Sequence, residues 1–185
     1  NNKLFYKRDK QKVRKKLGYD KDDIIVAYVG HFIHRKGSLR LSKALQELPT
    51  VKSIFIGDGP DLPKGEGILH TGKVPHDKVP DLLSAADIFV LPTLNEGCCN
   101  AIVEAMACGL PIISSNLPFN DDILYKDNSI RINPKNVEEI REAIAYLKDN
   151  DNLRQQMSES SIKYASSLRI ESRAKNILNF IVEKV

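Results

Sequence analysis

Two hydrophobic rhythms alternate along the chain. Runs at 24–29 (Ile-Ile-Val-Ala-Tyr-Val) and 88–91 (Ile-Phe-Val-Leu) are apolar without alternation, the pattern of strands buried on both faces of a parallel sheet. Further strands are expected at 51–56, 67–74, 110–114 and 129–132. Between them apolar residues recur at helical spacing: Val13 and Leu17 within 9–17, Leu39, Leu41, Ala44, Leu45 and Leu48 over 38–47, and Val79, Leu82, Leu83 and Ala86 over 78–86. Val137, Ile140, Ala143, Ile144 and Leu147 mark another helix over 137–148, followed by one over 152–166. Ile170, Ala174, Ile177, Leu178, Ile181 and Val185 mark a closing helix. This alternation predicts an α/β fold with a doubly wound, Rossmann-like parallel sheet, its ligand at the carboxyl ends of the strands. The reading divides the chain into a basic linker and entry helix (1–21), the α/β domain (22–168) and the closing helix (169–185).

The stretch 95–111, Asn-Glu-Gly-Cys-Cys-Asn-Ala-Ile-Val-Glu-Ala-Met-Ala-Cys-Gly-Leu-Pro, carries the chemistry. A strand ends at Pro92, a loop runs through Gly97, and a helix over 101–108 is expected with Asn100 as its N-cap and Gly109 and Pro111 as its exit. Such a unit presents a helix N-terminus, which favours anions, at the edge of the sheet. Glu96 sits in the loop beside Gly97. Glu104 is the one charged residue between Gly97 and Asn116, a turn into an apolar helix, and a lone carboxylate there needs a hydrogen-bonding partner such as a ribose diol. A second loop, Gly30-His31-Phe32-Ile33-His34-Arg35-Lys36-Gly37, opens the helix at Ser38 and suits phosphate. It is not a P-loop, and Gly57-Asp58-Gly59-Pro60 lacks the third glycine of a dinucleotide fingerprint, which argues against a dehydrogenase.

Glu-Gly-x-x-Asn-x-x-x-Glu-Ala-Met-Ala-Cys-Gly-x-Pro resembles the signature of the retaining GT-B enzymes called glycosyl transferases group 1, and the resemblance extends from about Asp23 to the end. It implies the C-terminal, donor-binding half of a GT-B fold, and a (hexosyl)transferase moving sugar from a nucleotide diphosphate sugar, UDP or GDP, to an acceptor hydroxyl of a glycan or lipid-linked sugar. Glu104 would hold the ribose hydroxyls. Lys36 and the backbone around Cys98, Cys99 and Asn100 would hold the diphosphate, and Glu96 a hydroxyl of the transferred sugar, making Glu96 and Lys36 the catalytic pair. The family's Arg falls on His31 here, with Arg35 beside Lys36 as another source of a guanidinium. Gly57 and Gly59 correspond to the family's Gly-(Asp/Glu)-Gly-Pro turn, or are a tight β-turn and nothing more. Gly72 and Val74 belong to the segment on which the base lies, and Gly30 and Gly97 let backbone approach the ligand. The last helix would cross back to an N-terminal acceptor domain absent from this chain, without which it would be inactive.

Composition adds limits. Charge is uneven: residues 1–21 carry nine Lys or Arg against two Asp, a balance of +7, leaving −3 for the remainder of a chain whose net charge is +4. Such a stretch is compatible with peripheral contact at the inner face of a membrane or with a solvated helix face, and no nucleic-acid motif accompanies it. Three cysteines form no disulfide framework or zinc spacing, which points to a cytoplasmic location, and neither metal nor cofactor is expected. The competing readings are a sugar-nucleotide epimerase or phosphorylase of the same fold, and a nucleotide-binding module without turnover.

Overall fold

A computed structural model describes residues 3–97 and 99–168. The expected helix at 170–185 and Cys98 lie outside the described residues. The elements are α1 (Lys10–Leu17), β1 (Ile24–Val29), α2 (Ser38–Gln46), β2 (Val51–Ile56), β3 (Ile68–Gly72), α3 (Val79–Ala85), β4 (Ile88–Leu91), α4 (Asn100–Ala107), β5 (Ile112–Ser115), β6 (Ser129–Ile132), α5 (Val137–Lys148) and α6 (Asp151–Ser167).

All six strands run parallel in the order β3-β2-β1-β4-β5-β6. This is the doubly wound Rossmann-like sheet expected from the apolar runs. β1 and β4 are buried through their centres because helices cover both faces: α2 packs with α5, α1 with α3, and α4 with α6. The order reverses between β1 and β4, so the loops leaving these two strands diverge and open a crevice at the carboxyl edge. The phosphate-cradle loop and the Glu96 loop are those two loops.

Three local expectations are corrected. Leu39 does not join the apolar face of α2; it is 46% exposed, because a residue two places from Leu41 lies about 200° round the helix from it. The residue flanking the start of α4 is Cys99, with Asn100 already in the first turn and no side-chain cap. The strand expected at 110–114 runs over Ile112–Ser115, since Gly109 and Leu110 complete the helix exit: their N–H groups donate to the Met106 and Ala105 carbonyls, with Gly109 at φ +81°.

The basic stretch is also less solvated than its composition suggests. Arg14 is buried and pairs with buried Asp87 at 2.7 Å, while its other donors reach the carbonyls of Ala85, Lys21 and Asp23. Asp87 in turn accepts from the Ile25 N–H at the start of β1. Arg8 and Lys16 pair with Asp81 of α3, and Phe5 is buried in the core.

Candidate functional site

At the switch point the 3-10 turn His34–Lys36, after β1, faces the loop 93–97, after β4. Backbone and side chains lock the two together. Leu94 N–H donates to the Arg35 carbonyl at 2.8 Å, Arg35 Nη1 donates to the Asn95 carbonyl at 2.7 Å, and Lys36 Nζ donates to Glu96 Oε1. The Lys36 and Glu96 side chains are 15% and 9% exposed, so this is a largely desolvated ion pair rather than a surface one. Arg35 therefore spends a donor on the opposite loop. Gly37, at φ +82°, is required here: a Cβ would come within 2.5 Å of the Pro92 carbonyl. Arg40 pins the same loops by donating to the carbonyls of His34, Pro92 and Pro134, and burial lowers its pKa.

Beside the pair, a cleft of about 230 Å³ opens over the carboxyl ends of β1, β2 and β3, lined by Val29, Gly30, His31, Ile56, Gly57, Asp58, Lys73 and Val74. Four expected site residues, Gly30, His31, Gly57 and Val74, thus share one wall. The turn Gly57-Asp58-Gly59 folds onto the β1 loop: Gly30 N–H reaches the Ile56 carbonyl, Phe32 N–H the Asp58 carbonyl, and Gly57 N–H the Gly72 carbonyl. At the rim, Asp58 pairs with His31 Nδ1 at 3.2 Å and with Lys73 at 2.8 Å, and the Lys73 hydrogen bond, with His31 beside it, holds the Asp58 carboxyl below its usual range. Beneath it Tyr28 is buried, its hydroxyl donating to the His31 carbonyl; burial, then the nearby Glu96 carboxylate, push the phenol pKa up.

Glu104, a turn into α4, is partly buried, and burial raises its pKa against the opposing effect of His76, whose Nε2 lies 3.4 Å from Oε1. The His76 ring stands edge-on to Phe5, with centroids 5.2 Å apart. Asn100 is exposed at the N-terminus of α4, Cys99 is buried just before it, and Gly97 is exposed in the loop. Burial pushes the Cys108 thiol up to about 12, so it is not a nucleophile. Among the described residues no group of three His, Cys, Asp or Glu is placed to hold a metal ion.

The geometry adds Thr93, Asp58, Lys73, His76 and Tyr28 to the residues expected from sequence. Asp58 was inside a recognised turn and could have been found there. Lys73, between Gly72 and Val74, and Thr93, three residues before Glu96, were also within reach of the expected segments, whereas the parts of Tyr28 and His76 depend on how the elements pack.

The profile of the family "Glycosyl transferases group 1" matches residues 9–164. TuaC of Bacillus subtilis (strain 168), whose name assigns it provisionally to teichuronic acid biosynthesis as a glycosyltransferase, is 36% identical over 138 residues, covering 73% of this chain and 36% of TuaC. The C-terminal domain of a group 1 glycosyl transferase, LpcC of Francisella tularensis, superposes with a TM-score of 0.78 at 18% identity over 91% of this chain and 97% of that domain. HepE of Anabaena, in complex with UDP-glucose, gives 0.82 at 20% identity over 99% of this chain and 55% of HepE. The chain thus spans about a third to a half of these longer proteins.

Proposed function

This chain belongs to the group 1 glycosyl transferases, and from that membership and the architecture of its cleft we propose that it is the donor-binding half of a GT-B glycosyltransferase. It takes a nucleotide diphosphate sugar, with UDP or GDP as the nucleotide part, and the sugar passes to an acceptor hydroxyl of a glycan or lipid-linked sugar held by an N-terminal domain. The observation that carries this reading is the Lys36–Glu96 pair at the switch point, where a cation and a carboxylate from different strands meet beside a base-sized cleft.

The roles follow from position. The base packs on Val74 and the wall of Gly30 and Gly57, with Gly72 at the end of β3 next to it, and Glu104 accepts from the ribose hydroxyls once His76 gives way. Lys36 and the N-terminus of α4 receive the diphosphate, whose negative charge grows as the sugar leaves. Glu96 accepts from a hydroxyl of the transferred sugar. These groups supply the positive charge that departure requires, which makes a metal or cofactor unnecessary in this proposal; retention is proposed from the family resemblance of the motif around Glu96 and Glu104. The same reading places the whole enzyme in the cytoplasm, in polysaccharide biosynthesis, with peripheral contact at the inner face of the membrane; no helix among the described residues is long and apolar enough to cross one. HepE's UDP-glucose is the precedent for the donor class.

Thermal unfolding of this chain with UDP, GDP, ADP and NAD tests the reading. At a hundred times the dissociation constant a ligand adds about 2.7 kcal/mol, which for a chain of this size raises the midpoint by roughly 5–10 °C. UDP or GDP should give that rise and Glu104→Ala should abolish it; a response to NAD alone would overturn the proposal.

A further inference from the structure

Thr93 is fully buried just beyond the carboxyl end of β4, within the polar network that joins the loops after β1 and β4. Its hydroxyl has three acceptors in reach: Glu96 Oε1 at 3.0 Å, the Asn95 carbonyl at 3.2 Å and the Arg35 carbonyl at 3.3 Å. A hydroxyl carries one proton. The carboxylate is both the nearest acceptor and the charged one, so the proton goes to Glu96. The two carbonyls do not depend on it. Arg35's carbonyl already accepts from Leu94 N–H at 2.8 Å, and Asn95's from Arg35 Nη1 at 2.7 Å. Thr93 is itself anchored, because its carbonyl accepts from the buried Ser115 hydroxyl.

The Lys36 ammonium meets the same oxygen, Oε1. Two donors on Oε1 fix the carboxylate in place, and Oε2 is the oxygen that neither of them engages. We propose that Thr93 is a positioning residue for Glu96, holding Oε1 so that Oε2 accepts a hydroxyl of the transferred sugar. The inference deepens the donor-site reading above and rests on it. Its consequence appears when the donor arrives. The diphosphate draws the Lys36 ammonium toward itself, weakening one of the two holds on Oε1. The Thr93 hydroxyl is neutral, has no attraction to phosphate comparable to that of a cation, and keeps the carboxylate from following Lys36.

The test separates sugar contact from nucleotide contact. This chain is titrated calorimetrically with UDP and UDP-glucose, and with GDP and GDP-mannose, and the ratio of dissociation constants within each couple reports what the sugar adds. Thr93→Val, equal in shape but without the hydroxyl, should weaken binding of the sugar nucleotide roughly tenfold while leaving the nucleoside diphosphate unchanged, and Thr93→Ser should restore it. Glu96→Gln should likewise weaken the sugar nucleotide relative to the nucleoside diphosphate, whose own affinity shifts as Lys36 loses its partner, and adding Thr93→Val to it should change that ratio little more, since both act through one contact. Should the valine variant not fold, Thr93→Ala carries the same expectation. Equal weakening of both ligands, failure of serine to restore the ratio, or fully additive losses would show a structural role and overturn the inference. A selective loss in Glu96→Gln with none in Thr93→Val would sink it while sparing the donor-site reading. Absence of nucleotide binding by the unaltered chain would remove that reading, and the inference with it.

Discussion

At Glu104, burial and charge oppose each other. Burial raises the folded-state pKa above the ordinary carboxylate value, and His76 only partly offsets it. Between those two values the native state holds the proton more tightly than the unfolded chain does, so stability falls as pH rises through that window, and above it the full cost of the ionised group is present. A carboxylate kept under those terms suits a ligand that will hydrogen-bond to it. Glu104→Gln should therefore raise the melting midpoint of the empty protein at pH 7, with the gain fading as pH falls from the raised folded-state value to the ordinary carboxylate value and gone below it, while nucleotide binding is lost. Melting curves collected across pH check both parts; a glutamine variant that melts lower at pH 7 would contradict the assignment of cost.

At the scale of elements, the turn after β2 shows why the cleft has its shape. Gly57 lies at φ +150°, and a Cβ there would stand 1.9 Å from the Gly30 carbonyl oxygen; at Gly59, φ +142°, it would stand 2.3 Å from that of Phe32. Both contacts are with backbone of the β1 loop, which cannot yield without opening the cleft wall. Gly57→Ala should cost about 2–4 kcal/mol, measurable as a lowered urea midpoint with unchanged slope; a loss within about 0.5 kcal/mol would mean that the two loops separate freely. The turn is thus a load on the cleft's geometry as well as a family motif. The elements themselves were legible in sequence because their signals are local: the unbroken apolar run of β1, the spacing of Val13 and Leu17 in α1, and the i, i+3, i+4 stripe of Ile140, Ala143, Ile144 and Leu147 in α5. Leu39 misled because apolar content was read without helical phase. In the site, Lys36 and Glu96 were legible singly from their motifs, whereas their pairing needs β1 beside β4. His76 acquires its partner Glu104 only once the elements are packed, whereas Thr93 meets Glu96 within its own loop.

At the scale of the molecule, most of the polar architecture converges on one edge of one sheet. The entry segment is fastened by Arg14 on Asp87 and by Arg8 and Lys16 on Asp81, while Lys3, Lys7, Lys12, Lys15 and Lys21 stay exposed. On the reading proposed above, the carboxyl edge is the place for the nucleotide sugar. The most direct test is to follow the backbone amide resonances of the isotopically labelled chain during titration with UDP and then GDP. The account predicts shifts confined to the loop 30–37, the turn 57–59, residues 72–76 and residues 96–104, which run from the loop into the start of α4, all at the carboxyl ends of the strands. Shifts centred instead on the outer faces of α2 and α5, or no saturable shifts with either nucleotide, would contradict it.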